Sequence, residues 1–400
     1  MRRFATLAVV TAIFGCGSDD GGGSSGTGGS SSGGTSSGGT SSGGTSSGGT
    51  SSGGTSSGGS SSGGSSSGGS SSGGSSSGGT SSGGSSSGGG GGTGGSSGSG
   101  PGLSAKYPGD VGIDKDPDVV WVENFEEGSV SALLQRYEDK KASGIALDAD
   151  VPAKSGGKAS GKLTANGGGP NAVDFYKKLS PGYDELFVRY YAKYQSGVQW
   201  HHTGVWIGGY NPAANWPSPQ AGLKPNGDDR FHVSLEPMGS GATPRMDFYN
   251  YWMKMHSWMD QPSGSTAYYG NSLVHEPTLT AKEQWQCFEI HIKLNPSGAS
   301  GSGAELGLWV NDQSVIQFTD SAPLGYWVKD KFCPNSATGK ECTDYKPSNP
   351  TLVPLDLQYR STTNLKLNAF WPQNYITSGG AGSVWYDDMV IAKSRVGCIQ

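Results

Sequence analysis

Charge is scarce in this sequence, at 15% of 400 residues, and the balance is acidic, with a formal net charge of −5. A chain with so few cations lacks the basic footprint that grips a phosphate backbone, which argues against nucleic acid as a partner. Metal-binding patterns are missing too: no CxxC pair occurs, and no histidine cluster stands at ligand spacing. Between residues 16 and 102 apolar side chains are almost absent, replaced by repeats such as Ser-Ser-Gly-Gly-Thr. Such a tract has nothing to offset the entropy of ordering its backbone, and no repeat carries a face to stack as a solenoid. A disordered linker is expected over 16–102, a tether whose eighty or so Gly/Ser residues span roughly 50 Å. Long helical patterns are lacking as well; Val130–Tyr137 is the one helical candidate of note.

At the start of the chain, Met1-Arg-Arg-Phe4 leads into the apolar run from Ala5 to Phe14, too short to span a membrane once processed. Residues 1–15 therefore read as a secretory signal peptide. The ending Ile13-Phe14-Gly15-Cys16 resembles a bacterial lipobox, although Phe14 is unusual at its position. The resemblance implies cleavage before Cys16 and lipid attachment to its sulfur. Gly17 and Ser18 then favour the outer membrane, so a cell-surface, lipid-anchored protein is expected. An ordinary secreted protein is the alternative.

The other four cysteines are Cys287, Cys333, Cys342 and Cys398. An even number in an exported chain reads as disulfides. Cys333–Cys342 closes a short loop rich in turn residues, and Cys287–Cys398 then staples the C-terminus to a central strand. Metal ligation is the rival reading.

From Leu103 to Gln400 the chain is long enough for one large core. Strand-like runs dominate it, among them Val119–Phe125, Leu186–Tyr194, Arg230–Glu236, Met246–Met253, Trp285–Leu294 and Val384–Ala392. Gly, Pro, Asn and Asp clusters bound them. The expected fold of 103–400 is all-β, a concanavalin-like jelly-roll sandwich of two antiparallel sheets.

Four of the six histidines fall between Trp200 and His256. Inside that stretch, Arg230, His232, Ser234 and Glu236 project from one face of a strand, and Phe231, Val233 and Leu235 from the other. An apolar back and a titratable front suggest a core on one side and a ligand-facing groove on the other. By the same period of two, Arg245, Asp247, Tyr249 and Tyr251 share a face.

The order of segments resembles the jelly-roll alginate and glucuronan lyases. The resemblance rests on Leu186-Phe-Val-Arg-Tyr-Tyr191, Trp200, Gly204-Val-Trp-Ile-Gly-Gly209, the Arg230–Glu236 strand, Tyr249-Asn-Tyr251, Gly307-Leu-Trp-Val-Asn311 and Trp385-Tyr-Asp-Asp388. It covers most of 115–395, and the cellulose-induced secreted protein of filamentous fungi is similar in architecture. The resemblance implies β-elimination on a uronate polymer, with Tyr249 or Tyr251 as the proton-transferring tyrosine and His201 or His202 lining the groove. Two departures stand out. Val205 replaces a lysine that those families carry in a turn, and residues 210–229 form a longer loop.

Elimination needs a group to neutralise the uronate carboxylate, a base for the C5 proton and an acid for the departing O4. Arg230 suits the first role and His232 the base or a second donor. A tyrosine suits the acid, and also the base if neighbouring cations depress its pKa. Arg245 and Trp206 complete the expected binding residues. Each has a plainer reading. Arg230 can pair with Asp228, Asp229 or Glu236 as a surface ion pair. Trp206, Trp252 and Trp258 are either core or sugar-stacking platforms. No catalytic cofactor is expected, although Asn226, Asp228 and Asp229 offer hard oxygen ligands suited to a structural calcium ion.

A glycosidase of this fold carries a compact strand array of the Glu-x-Asp-x-x-Glu type. None occurs, and Asp247 has no carboxylate two positions away. The expected function is cleavage of an acidic polysaccharide by a monomeric, lipid-anchored lyase. A non-catalytic glycan-binding lipoprotein is the first alternative and a glycoside hydrolase the second.

Overall fold

Alternation of apolar and polar side chains, interrupted by Gly/Pro turns, divides the described residues into nineteen strands in the computed structural model. The structure describes residues 102–400 apart from 168, 170, 219–220, 239–243, 258–266, 274–278, 282, 297–300, 378 and the side chains of 340 and 341. The expected signal peptide, Cys16, the linker up to residue 101 and Trp258 lie outside the described residues.

The smaller sheet contains β1 (Val119–Glu123), β3 (Ile145–Asp148), β4 (Ser160–Ala165) and β6 (Glu185–Tyr194). It is completed by β12 (Gln286–Lys293), β13 (Glu305–Val310), β14 (Gln313–Phe318) and β19 (Gly382–Ala392). Its order is β14-β13-β12-β6-β19-β4-β3, with β1 also paired to β19.

The larger sheet contains β2 (Asp139–Lys141), β5 (Asn171–Tyr183), β7 (Thr203–Tyr210), β8 (Arg230–Met238), β9 (Arg245–Tyr251) and β10 (Asn271–Leu273). To these it adds β11 (Leu279–Thr280), β15 (Leu324–Val328), β16 (Lys331–Pro334), β17 (Val353–Pro354) and β18 (Leu367–Ile376). The order is β17-β15-β16-β10-β9-β8-β7-β18-β5-β2, with β11 on β9. All pairings are antiparallel except β10 with β16. The expected jelly-roll sandwich is therefore the architecture, with one parallel pair added.

The core lies between the sheets. Phe231, Val233 and Leu235 of β8 are fully buried there with Phe248 of β9 and Val205 and Ile207 of β7. Each such side chain contributes about 1.5–3 kcal/mol relative to exposure. The helix foreseen at Val130–Tyr137 is shorter: α1 spans Val130–Leu134, capped by Ser129, whose side chain accepts from Ala132 N. Tyr137 instead turns into the core and donates to Glu123 over 2.6 Å. Both disulfides form, Cys287–Cys398 and Cys333–Cys342.

The resemblance placed Val205 in a turn. The segment is instead the interior of β7, and Val205 is buried between the sheets opposite Leu235. A lysine there would carry its ammonium into apolar packing, so the position is no place for a catalytic cation.

Candidate active site

The face of the larger sheet turned away from the core gathers the candidate residues by register. His232 of β8 lies opposite Tyr251 of β9, Ser234 opposite Tyr249, and Glu236 opposite Asp247. On the other flank of β8, Trp206 faces Ser234 and Gly208 faces His232. Beyond β7, Trp371 of β18 lies opposite Trp206. A single row thus crosses the strands from Trp371 through Trp206 and Ser234 to Tyr249.

Small residues in β7 make room for this row. A Cβ on Gly204 would come within 2.8 Å of Ser234 Oγ, and one on Gly208 within 2.8 Å of the His232 ring. The glycines of the 204–209 segment thus mark close approach rather than a turn.

In an extended segment only one of His201 and His202 could face the groove. The backbone at His202 is left-handed instead, with φ +59°, a conformation uncommon for residues other than glycine. That twist brings the two imidazoles within 3.8 Å of each other. His202 Nδ1 meets Glu236 Oε2 at 3.0 Å. A carboxylate only accepts, so Nδ1 is the donor in this bond, and in a neutral ring Nε2 is then the acceptor. The ring also lies 4.9 Å from that of Tyr249 and stacks on Tyr375 of β18. His202 keeps 18% of its side chain exposed, whereas Glu236 is fully buried. His201 is held by Thr377, Oγ1 to Nδ1 2.6 Å, and burial followed by its neighbour His202 lowers its pKa to about 3.

The tyrosines depart from expectation in sign. Burial, then Tyr251, pushes Tyr249 well above the ordinary phenol range. Burial likewise carries Tyr251 up to about 12. Neither hydroxyl ionises near neutrality, so the idea of a cation-depressed tyrosinate base is corrected: these are proton donors. Tyr249 Oη accepts from Gly270 N at 2.9 Å and meets Tyr251 Oη at 3.5 Å, a contact in which either hydroxyl can donate.

The arginines are engaged. Arg230 pairs with Asp229 at 3.5 Å, so of its three possible acidic neighbours the structure selects that one. Arg245 Nε reaches both carboxylate oxygens of Asp247 at 2.9 Å. What remains unpaired is neutral or single-sided: both ring nitrogens of His232, Ser234 Oγ, Trp206 Nε1 and Glu236 Oε1 are buried without a hydrogen-bond partner. Burial and then Arg230 hold His232 down to about 3, so it stays a neutral imidazole with one donor and one acceptor. Leaving a polar group buried and unpaired costs about 1–3 kcal/mol, so several on one sheet face make that face a candidate site.

Not every candidate joins this row. His256 stacks on Trp327 at 3.8 Å and lies apart from it. Trp252 is buried in the core, its Nε1 donating to Asp356 O at 2.8 Å. Of the oxygens proposed for calcium, both on Asp229 are engaged, one accepting from Asn226 N and the other pairing with Arg230. Among the described residues no group of three His, Cys, Asp or Glu is placed to hold a metal ion.

Several site residues had no assigned role in the sequence. Glu236 was seen on the polar face, but its partner His202 is 34 positions away. Trp371 and Tyr375 stand two positions either side of Gln373 in β18, and that period of two was the available signal. The opposition of Glu236 and Asp247 was also invisible, because a search within one strand cannot find carboxylates paired between two.

The sequence matches no protein-family model and no curated protein. Among solved structures the fold is similar to the alginate lyase Aly36B, with TM-score 0.41 and 13% identity over 70% of this chain and 95% of that one. A marine alginate lyase from Aplysia kurodai gives TM-score 0.43 and 13% identity, covering 68% and 98%. The cellulose-induced protein Cip1 gives 0.36 and 16%, covering 70% and 99%. Identities at this level assign no activity to the chain.

Proposed function

We propose that this protein is a cell-surface lyase that cleaves an acidic, uronate-containing polysaccharide by β-elimination on the outer face of its larger sheet. The observation that carries this reading is the Glu236-oriented His202, its Nε2 open, beside a tyrosine that stays protonated. In this scheme His202 Nε2 takes the C5 proton while Glu236 steadies the imidazolium that forms. The C5–H electrons become the C4=C5 double bond, the C4–O4 bond breaks, and Tyr249 gives its proton to O4. The uronate carboxylate is met by the unpaired donors of His232, Ser234 and Trp206. Arg230 and Arg245 add positive potential rather than direct contact. Lipid attachment at Cys16 and the Gly/Ser tether would hold a monomeric enzyme at the outer membrane.

The facing carboxylates of Glu236 and Asp247 support a second reading, hydrolysis. A single experiment separates the possibilities. Full-length chain is incubated with alginate, glucuronan and other uronate polymers, while ultraviolet absorbance and reducing ends are both followed. Elimination raises both, whereas hydrolysis raises reducing ends without the unsaturated chromophore. Retention of a polymer with neither signal identifies a binding protein. No absorbance rise on any polymer sinks the lyase.

A further inference from the structure

The loop between β7 and β8 holds a tryptophan that the scheme above does not use. Trp216 is 62% exposed, although a tryptophan this accessible forfeits most of its burial energy. Its neighbours are fastened. Tyr176 Oη donates to Ala214 O at 3.3 Å, and Lys178 Nζ to Asn215 Oδ1 at 2.6 Å. On the far side of Trp216, Ser218 N donates to Tyr210 Oη at 2.9 Å. The base of the loop is closed by Asn211, which bonds Asp228 O and Asp229 O. Ala214 and Trp371 both pack on the cluster of Tyr176, Tyr210 and Ala369.

These anchors belong to the same face as the candidate site. Register places Gln373 opposite Asp174, so Trp371 and Tyr176 continue the Trp206–Ser234–Tyr249 row by two more strands. Five strands at their usual spacing make a track of roughly 19 Å from Tyr176 to Tyr249. The loop is tied to the Tyr176 end through Ala214 and Asn215, and Trp216 between its anchored neighbours faces solvent.

We propose that Trp216 is a distal subsite, stacking on a pyranose ring of the polysaccharide several residues from the bond that is cleaved. This rests on the reading that the outer face of the larger sheet binds polysaccharide. The apolar face of a sugar suits an exposed indole, and the fastened flanks mean that little conformational freedom is lost on binding. The insertion thereby lengthens the site and favours long chains over short ones.

The test compares the unaltered full-length chain with Trp216→Ala and Trp216→Phe on alginate or glucuronan polymer and on its disaccharide to tetrasaccharide fragments. Binding is followed by titration in the His202→Ala background, and turnover in the active chain. We expect Trp216→Ala to weaken polymer binding and raise polymer KM about tenfold, with kcat and short-fragment affinity unchanged. Trp216→Phe should recover part of the loss. Unchanged polymer affinity in Trp216→Ala, with the unaltered chain binding normally, overturns the subsite alone. An equal loss on short fragments also overturns it, since the residue would then act at the centre. Polymer binding that depends on Trp216 but is never followed by turnover leaves the subsite standing and removes the lyase. Failure of the unaltered chain to bind any uronate polymer overturns both.

Discussion

Two rows of aromatic side chains cross the outer faces of this sandwich, one on each sheet, and they treat their polar atoms in opposite ways. On the smaller sheet Lys162, Trp385 and Lys193 stand side by side across β4, β19 and β6, with Trp285 next to Lys193 just before β12. Every polar atom there has a task. Trp385 Nε1 donates to Asp148 and Trp285 Nε1 to Asp150, while both lysines lie over the Trp385 ring at 4.8 and 4.3 Å. On the larger sheet Trp206 Nε1, Ser234 Oγ and both nitrogens of His232 have no partner. The residue types are much alike. Pairing, rather than composition, separates the two rows.

The largest effect that tests this contrast is on turnover. His202→Ala or Glu236→Gln is expected to lower kcat by about 10²–10⁴, the usual worth of a positioned acid–base group, with the fold retained by circular dichroism. Trp385→Ala should leave kcat and KM unchanged while lowering the melting temperature. Equal losses of activity in both rows would erase the distinction. Tyr249→Phe should follow at about a hundredfold, and Tyr251→Phe should cost less because its hydroxyl sits one step further from His202.

Stability distinguishes the sheets next. Cys287–Cys398 ties β12 to the C-terminus across 111 residues, whereas Cys333–Cys342 spans 9. Chain entropy alone gives about 5 and about 2.5 kcal/mol respectively. Replacing both cysteines of a pair with serine and unfolding in urea should show the larger loss for Cys287–Cys398. A reversed order would place the weightier clamp beside the candidate site.

The effect that is smallest per unit change of condition concerns pH. His232 and His201 are held at about 3 in the folded chain, below the ordinary value of about 6.5 expected when unfolded. As pH falls below 6.5 the unfolded chain takes up protons that the folded chain refuses. Stability from this source is therefore present above about 6.5 and is lost towards pH 3, at about 1.4 kcal/mol per pH unit for each histidine. His232→Asn should flatten the acid limb of a denaturation series by that slope. A limb unchanged in the variant would mean that His232 protonates freely in the fold.

Much of the architecture was legible in the chain. The alternation in Arg230–Glu236 fixed β8 and its two faces, because a period of two leaves no other way to bury Phe231, Val233 and Leu235. The pairing of four cysteines followed from loop length and turn composition. The site itself was legible only as a set of candidates. His202 depends on a left-handed backbone that sequence alone does not announce, and Glu236 becomes its partner only through strand register. The tyrosines were misjudged in sign because a pKa depends on burial, and burial is a property of what packs above the sheet. Val205 was misplaced because the resemblance set it against a turn lysine, while in the fold the glycines beside it clear space for His232 and Ser234.

The sequence by itself determined the all-β class, the polar and apolar faces of β8 and the cysteine pairs, since these depend on local periodicity, composition and short loops. Tertiary structure alone decided which polar groups pair and which stay open. His202 met Glu236, Arg245 closed on Asp247, Arg230 chose Asp229, and His232 was left buried without a partner. Those choices are made between strands far apart in the chain, where register and burial set each hydrogen bond and each charge.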